Sequence, residues 1–171
     1  MDTYRYFADW PALVQYLRIY NSRTGKTSSV NNLSLYVQPY FFDGVISDIT
    51  TNLTDREFVQ EVVTIKNQII VESSSLGDHY HWSAETLTEG VGTSGDIAIL
   101  MMSLLKSGNN QSQYGLQVSM VYCDVQNLTN PQNVNHVMVE VRYIDGTVVI
   151  LDTTTNASYI ENQVDGWKYL V

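Results

Sequence analysis

A continuous apolar segment in the middle of the chain constrains the fold more than any other feature. Ile97 to Leu105 is interrupted by one polar residue, Ser103, and Gly108 follows it. A helix that is apolar on all sides is stable only when it is covered on all sides. The sequence therefore predicts a central, buried helix that begins at or just after Ser94 and ends at Gly108. The segment is far shorter than the roughly 20 residues that cross a bilayer, so it predicts no membrane insertion.

Residues 55–108 form the predicted helical part of a single domain over residues 1–171. Thr54 precedes Asp55 and Glu57, which is the pattern of a helix N-cap followed by acidic residues in the first turn. Apolar residues then recur at helical spacing, so we expect a helix from Asp55 to about Glu72. Ser73 to Tyr80 predicts a loop.

Residues 1–54 give a weaker pattern and are expected to form a helical and irregular part. Trp10 to Tyr20 carries apolar residues at helical spacing, with Pro11 in the first turn. Leu33 to Phe42 mixes apolar and aromatic residues and predicts an extended segment, in which Pro39 excludes a central strand. The polar residues between these two segments predict a loop.

Residues 115–171 change to a period of two, which predicts an antiparallel sheet. Apolar and polar residues alternate from Leu116 to Tyr122, and strand-like runs follow from His136 to Ile144 and from Thr147 to Asp152. Helices followed by a sheet are typical of an α+β fold.

The Asp145-Gly146 pair between the last two runs is a strong hairpin signal. Strands that pair symmetrically about this turn set His136 opposite position 155, which is close to Asp152 but not in line with it. A bulge or a different turn register would bring the two residues together.

Three residues suited to acyl transfer lie at the ends of these predicted elements. Ser94 follows Gly92 and Thr93 at the start of the central helix, His136 opens a strand, and Asp152 closes the next one. A helix N-terminus offers free N–H groups and a positive dipole end, which stabilise a developing oxyanion. A plain N-cap role for Ser94 is the simpler alternative when the spacing is taken alone.

Motifs over about half of the chain resemble the transglutaminase-like cysteine peptidase superfamily. They are Glu85-Thr86-Leu87, the Gly-x-Gly-x-Ser-Gly-Asp segment around Ser94, His-x-x-Val-Glu-Val from His136, and the strand into Asp152. The resemblance implies an α+β, papain-like fold in which a nucleophile at the N-terminus of a central helix packs on an antiparallel sheet carrying His and Asp.

The resemblance also implies a role for each site residue. Ser94 stands in the nucleophile position, His136 is the general base and Asp152 orients it. The backbone N–H of Ser94 is one oxyanion donor, and Trp82 or His81 is a candidate for a second. Gly92 and Thr93 would line the cleft. No cofactor is implied, and the substrate would be a peptide or protein.

Serine at position 94 departs from the superfamily, which has cysteine there. A serine hydroxyl does not form a stable anion near neutral pH, so its proton must be removed by His136 as the bond forms. Two interpretations follow. Either the chain is an inactivated variant of a cysteine peptidase or acyltransferase that acts on amide bonds, or it is a naturally inactive domain that binds peptides or a surface.

The histidines and the single cysteine of the chain suggest chemistry other than this triad. His79 and His81 have a spacing that could, with His136, form a three-histidine metal site of a hydrolase. The alternative, a loop with two histidines and no metal, is favoured. Cys123 is the only cysteine, which excludes an internal disulfide, and its strand-like setting predicts a buried, inert thiol.

The charge of the chain limits its partners. The formal net charge is -9, which disfavours binding to nucleic acid and to anionic membranes. Asn-x-Ser/Thr sequons suggest an extracellular or cell-surface origin, and they begin at Asn32, Asn52, Asn110, Asn127 and Asn156.

Overall fold

The computed structural model describes residues 4–7, 27–28, 33–50, 52–72 and 82–171, and within them it has the expected α+β fold. Its helices are α1 (Asp43–Thr50), α2 (Asp55–Lys66), α3 (Ser83–Glu89) and α4 (Ser94–Ser112). Its strands are β1 (Tyr4–Phe7), β2 (Thr27–Ser28), β3 (Ile70–Val71), β4 (Val91–Gly92), β5 (Gln117–Cys123), β6 (Asn133–Val134), β7 (His136–Arg142), β8 (Val148–Asp152), β9 (Ser158–Tyr159) and β10 (Gly166–Leu170). The helix predicted within Trp10 to Tyr20 and the loop predicted from Ser73 to Tyr80 lie outside the described residues.

The main sheet has the strand order β1-β10-β5-β7-β8-β9 among the described residues. Neighbours from β10 to β9 are antiparallel, as the alternating sequence predicts, while β1 adds a parallel strand at one edge. Two short parallel pairs, β2 with β6 and β3 with β4, lie outside this sheet.

Helix α4 is the buried centre of the fold. Its apolar residues from Ile97 to Leu105 are at most 3% exposed, and it packs against α1, α2, α3 and the sheet strands β5 and β7. The predicted end at Gly108 is wrong, because the helix continues to Ser112 and ends at Gln113 with a positive φ of 52°. No helix in the described part of the chain is long and apolar enough to cross a membrane.

The first described helical segments differ from the predicted extended stretch. Leu33–Tyr36 and Pro39–Phe42 are short 3₁₀ helices, and α1 follows them directly. Pro39 begins the second of these turns, where its fixed φ and missing N–H are tolerated.

Helix α2 is shorter than predicted, and α3 was not predicted. After Lys66 the chain turns, and Ile70 and Val71 leave the helical pattern to pair with β4. Helix α3 ends at Gly90, whose φ of 69° is easily adopted by glycine.

The hairpin between β7 and β8 contains one residue more than a two-residue turn. Gly146 N–H donates to the Tyr143 carbonyl at 2.9 Å and Tyr143 N–H donates to the Thr147 carbonyl at 2.9 Å, with Gly146 at a φ of 89°. This bulged turn pairs Met138 with Asp152. Directly opposed residues lie on the same face of a sheet, so Asp152 shares a face with Met138. His136 lies two residues before Met138 and therefore lies on that face as well.

The N-cap of α2 should contribute measurably to stability. Thr54 Oγ1 accepts from Glu57 N at 3.2 Å while Glu57 Oε1 accepts from Thr54 N at 3.0 Å. We expect Thr54→Ala to lower the free energy of unfolding by about 1 kcal/mol in urea denaturation. Thr64→Ala, on the exposed side of the same helix, is the matched control and should change it by less than about 0.5 kcal/mol. Equal losses in both variants would contradict the cap's contribution.

Candidate functional site

His136 and Asp152 meet at the end of the sheet where β7 begins and β8 ends. The distance from His136 Nε2 to Asp152 Oδ1 is 2.8 Å. Both residues are buried, at 5% and 3% exposure. The pairing register explains the contact, because the two residues share one face of neighbouring strands and lie diagonally across them.

The Asp152 carboxylate is held by the turn that follows β8. Oδ1 accepts from Thr154 N at 3.2 Å and from Thr154 Oγ1 at 3.3 Å, and Oδ2 accepts from Thr155 Oγ1 at 2.9 Å. Burial alone would raise the pKa of Asp152, but the hydrogen bond and charge of His136, together with these donors, outweigh burial and lower that pKa to about 2. Asp152 is therefore ionised near neutral pH.

The ionised carboxylate fixes the tautomer of the imidazole. A carboxylate can only accept hydrogen bonds, so Nε2 of His136 must be the donor in its contact with Asp152. In the neutral ring Nδ1 then carries the free electron pair. The arrangement thus leaves Nδ1 as the basic nitrogen of the neutral ring, and the Asp152 carboxylate is placed to stabilise an imidazolium.

Ser94 is the first residue of α4, directly after the N-cap. Thr93 Oγ1 accepts from Asp96 N at 3.2 Å, and Asp96 Oδ2 accepts from Thr93 N at 3.0 Å. This capping box leaves the N–H groups of Ser94 and Gly95 without an acceptor in the described structure. The partly exposed Ser94 makes no side-chain hydrogen bond to His136 among the described residues.

The segment from Lys66 to Glu72 makes hydrogen bonds both to the strand before α4 and to the turn after Asp152. Ile70 N–H donates to the Gly90 carbonyl at 2.8 Å and Glu72 N–H donates to the Gly92 carbonyl at 2.8 Å, which joins β3 to the strand before Ser94. Four residues before Ile70, Lys66 Nζ donates to the Thr155 carbonyl at 2.6 Å. The same short stretch of chain therefore contacts the segments that carry Ser94 and Asp152.

Of the other predicted cleft residues, the structure describes Gly92, Thr93 and Trp82 but not His81. A side chain at Gly92 would come within 3.0 Å of Asp96 Cβ and 3.1 Å of Thr86 Cγ2, so glycine allows the close approach of β4 to α4. Trp82 is 42% exposed and its ring lies 5.0 Å from that of Tyr36. His81 lies outside the described residues, so the second oxyanion donor stays a prediction.

Cys123 lies directly opposite His136 in the pairing of β5 with β7. Its side chain is fully buried, and burial raises the pKa of the thiol strongly, with Asp152 and Asp124 adding to the effect. A thiol that stays protonated is a poor nucleophile. Cys123 is therefore not a candidate nucleophile.

Sequence reasoning did not identify three residues that contact this site. Thr154, Thr155 and Lys66 hold the carboxylate or its turn, and only the threonine run after Asp152 offered a signal for side-chain to backbone turns. The metal alternative rests on His79 and His81, which lie outside the described residues. Among the residues that are described, no three His, Cys, Asp or Glu side chains come together as a metal site.

Solved structures with the same fold were found by comparison. EGTA-treated LapG of Legionella pneumophila has a TM-score of 0.54 at 14% identity, over 90% of this chain and 78% of LapG. A candidate cysteine protease of Cytophaga hutchinsonii has a TM-score of 0.50 at 17% identity, over 77% of this chain but only 42% of that protein. No family model and no curated protein sequence matches the chain. The chain therefore has the papain-like, transglutaminase-like fold that its motifs predict.

Proposed function

We propose that this fold supports acyl transfer from peptide or amide carbonyl groups, with position 94 as the nucleophile, His136 as the base and Asp152 as its orienting partner. The observation that carries the proposal is the buried 2.8 Å contact between His136 Nε2 and ionised Asp152, which leaves Nδ1 as the basic nitrogen. The free N–H groups at the tip of α4 supply the oxyanion donors that the reaction needs.

With a thiol at position 94, each group has a defined step. The thiolate attacks the carbonyl carbon, and the N–H of residue 94 stabilises the oxygen as its negative charge develops. Nδ1–H of the His136 imidazolium protonates the leaving amine as the C–N bond breaks, which gives a thioester. Nδ1 then removes a proton from water, which attacks the thioester, releases the acid and restores the thiolate beside the imidazolium. Hydrolysis is favoured over amine transfer because water is always present.

With serine at position 94, the same arrangement is strongly impaired. The hydroxyl does not form an anion beside the imidazolium, so its proton must move to Nδ1 during the attack itself. The Ser94 chain should therefore keep a peptide-binding cleft while losing most turnover.

Incubation of the Ser94→Cys protein with a peptide mixture, followed by mass spectrometry, tests this proposal. We expect cleaved peptides and a covalent acyl adduct at position 94, neither of which Ser94→Ala should produce. An added primary amine distinguishes hydrolysis from crosslinking, because only the latter gives amine-linked products. Absence of both cleavage and adducts across a broad mixture would contradict the proposal.

A peptide-binding module without turnover is the second candidate, and serine at position 94 is the observation that favours it. Fluorescence polarisation with labelled peptides separates the two functions. A binding module retains the same affinity in the Ser94 chain and in Ser94→Cys, and neither form yields products.

A further inference from the structure

Lys66 is buried at the end of α2, on the helix face that also carries Val59 and Val63. It is 4% exposed, although lysine is almost never buried without a partner. Its ammonium group donates to the Thr155 carbonyl at 2.6 Å, across a separation of 89 residues. Burial of a charge costs free energy, so the contacts of the Lys66 ammonium group must offset that cost.

The Thr155 carbonyl belongs to the turn that holds Asp152. Thr155 Oγ1 donates to Asp152 Oδ2 at 2.9 Å, and Thr154 donates twice to Oδ1. Lys66 therefore holds the backbone of Thr155, and the side chain of Thr155 in turn holds the Asp152 carboxylate. Asn67 adds an exposed contact of 3.2 Å from its Nδ2 to Asn156 Oδ1 in the same turn.

Lys66 and Asp152 also interact through charge. Burial lowers the pKa of Lys66, and the Asp152 carboxylate opposes that effect. Both residues line a cavity of about 420 Å³ between α2 and β8, together with Val63, Leu151 and Asn156.

We propose that Lys66 is a positioning residue for the His136–Asp152 pair. Its ammonium group locks the turn from Asp152 to Ala157 through the Thr155 carbonyl and places a positive charge at the cavity that Asp152 also lines. The orientation of the imidazole is then set by a residue on a helix that contributes no reacting atom. This inference rests on the proposed function only for its catalytic consequence, since the geometry of the pair can be measured in the Ser94 chain.

Other titratable groups surround the pair and do not replace Lys66. The end of β5 contributes Cys123, which is protonated, and Asp124, whose carboxylate accepts from backbone N–H groups of its own loop. Arg56 also lines the cavity, but its guanidinium donates to Asp55 and Asp145 instead.

The first test measures the downfield imidazole N–H proton resonance of His136 by NMR in the Ser94 chain. A hydrogen bond to a carboxylate protects this proton from exchange with water, and His136→Gln identifies the signal by its loss. We expect Lys66→Met, which keeps length but not charge, to increase the exchange rate about tenfold. Lys66→Arg, which the neighbouring cavity can accommodate, should restore protection. Lys106→Met, on α4, is the matched control and should leave the exchange rate unchanged.

A second variant keeps the inference testable if Lys66→Met does not fold. Thr155→Val removes the hydroxyl that links the turn to Asp152, and it should accelerate exchange of the same proton. If the His136 proton is equally protected in Thr155→Val and in any folded Lys66→Met protein, Lys66 has no positioning role.

The catalytic consequence is measured separately in Ser94→Cys. There we expect Lys66→Met to lower the alkylation rate of the thiol at pH 6 by about tenfold, and Lys66→Arg to recover it. One outcome is that Lys66→Met loses NMR protection of the His136 proton while the thiol of Ser94→Cys is no more reactive than an ordinary cysteine. That result would overturn the proposed function and leave the positioning role intact. An unchanged alkylation rate in an otherwise activated protein would overturn the catalytic part of the inference.

Discussion

In the Ser94→Cys protein, alkylation of the new thiol by iodoacetamide should be nearly independent of pH between 5.5 and 7.5. A thiol beside an imidazolium and at a helix N-terminus has a strongly lowered pKa, so it is already a thiolate at the lower pH. An ordinary cysteine has a pKa near 8.5, and its ionised fraction rises about 100-fold over the same range. We therefore expect less than about a threefold change in rate, measured site by site with mass spectrometry.

The sign of this effect follows from which charge stabilises the thiolate. The pKa of Asp152 lies at about 2, so its carboxylate should stay ionised and stabilise an imidazolium throughout this pH range. The carboxylate gains its proton only near pH 2, and this stabilisation of the imidazolium is lost there.

The variant Ser94→Cys with His136→Gln is the control for this prediction. Without the imidazolium, the thiol should return to the steep pH dependence of an ordinary cysteine. Cys123 serves as an internal reference in every sample, because its buried thiol should stay unmodified. A steep profile in both proteins would show that position 94 and His136 do not form a pair.

The sequence was sufficient for the parts of the fold with strong local signals. The apolar run from Ile97 predicted the central helix, and the alternation before Cys123 and after His136 predicted β5 and β7. These predictions held because each element buries the surface that its own periodicity defines. The ends of α2 and α4 were missed because tertiary pairing decided them: β3 pairs with β4 after α2, and Phe58 fills the space beside Gly108.

The contact between His136 and Asp152 was predictable from the sequence, but the residues that support it were not. His136 and Asp152 were expected to meet through a bulge or a different turn register, and Gly146 provides the bulge at a φ of 89°. Lys66 could not be predicted, because its contact with Thr155 spans 89 residues and a lysine at the end of a helix ordinarily indicates solvent exposure. Long-range polar contacts of this kind leave no periodic pattern in a sequence.

Replacing Gly108 by alanine should destabilise the protein by about 2 to 3 kcal/mol, although alanine is the better helix former. A Cβ atom at Gly108 would lie 2.2 Å from Phe58 Cε2 and 2.3 Å from Phe58 Cζ. The ring cannot easily retreat, because it is fully buried and stacks on Tyr114 at 5.2 Å. Tyr114 is itself held by a 2.8 Å hydrogen bond from its hydroxyl to the Leu53 carbonyl. The free energy of unfolding in urea is the measurement.

Gly44→Ala provides the opposite sign in the same assay. Gly44 is an exposed glycine in α1, and a Cβ atom there would meet nothing within 4 Å. Alanine should therefore stabilise the helix by about 0.5 to 1 kcal/mol through its lower conformational entropy in the unfolded chain. If both substitutions stabilised the protein, helix propensity would dominate at both sites. The close contact of α4 with Phe58 would then not be what requires glycine at position 108.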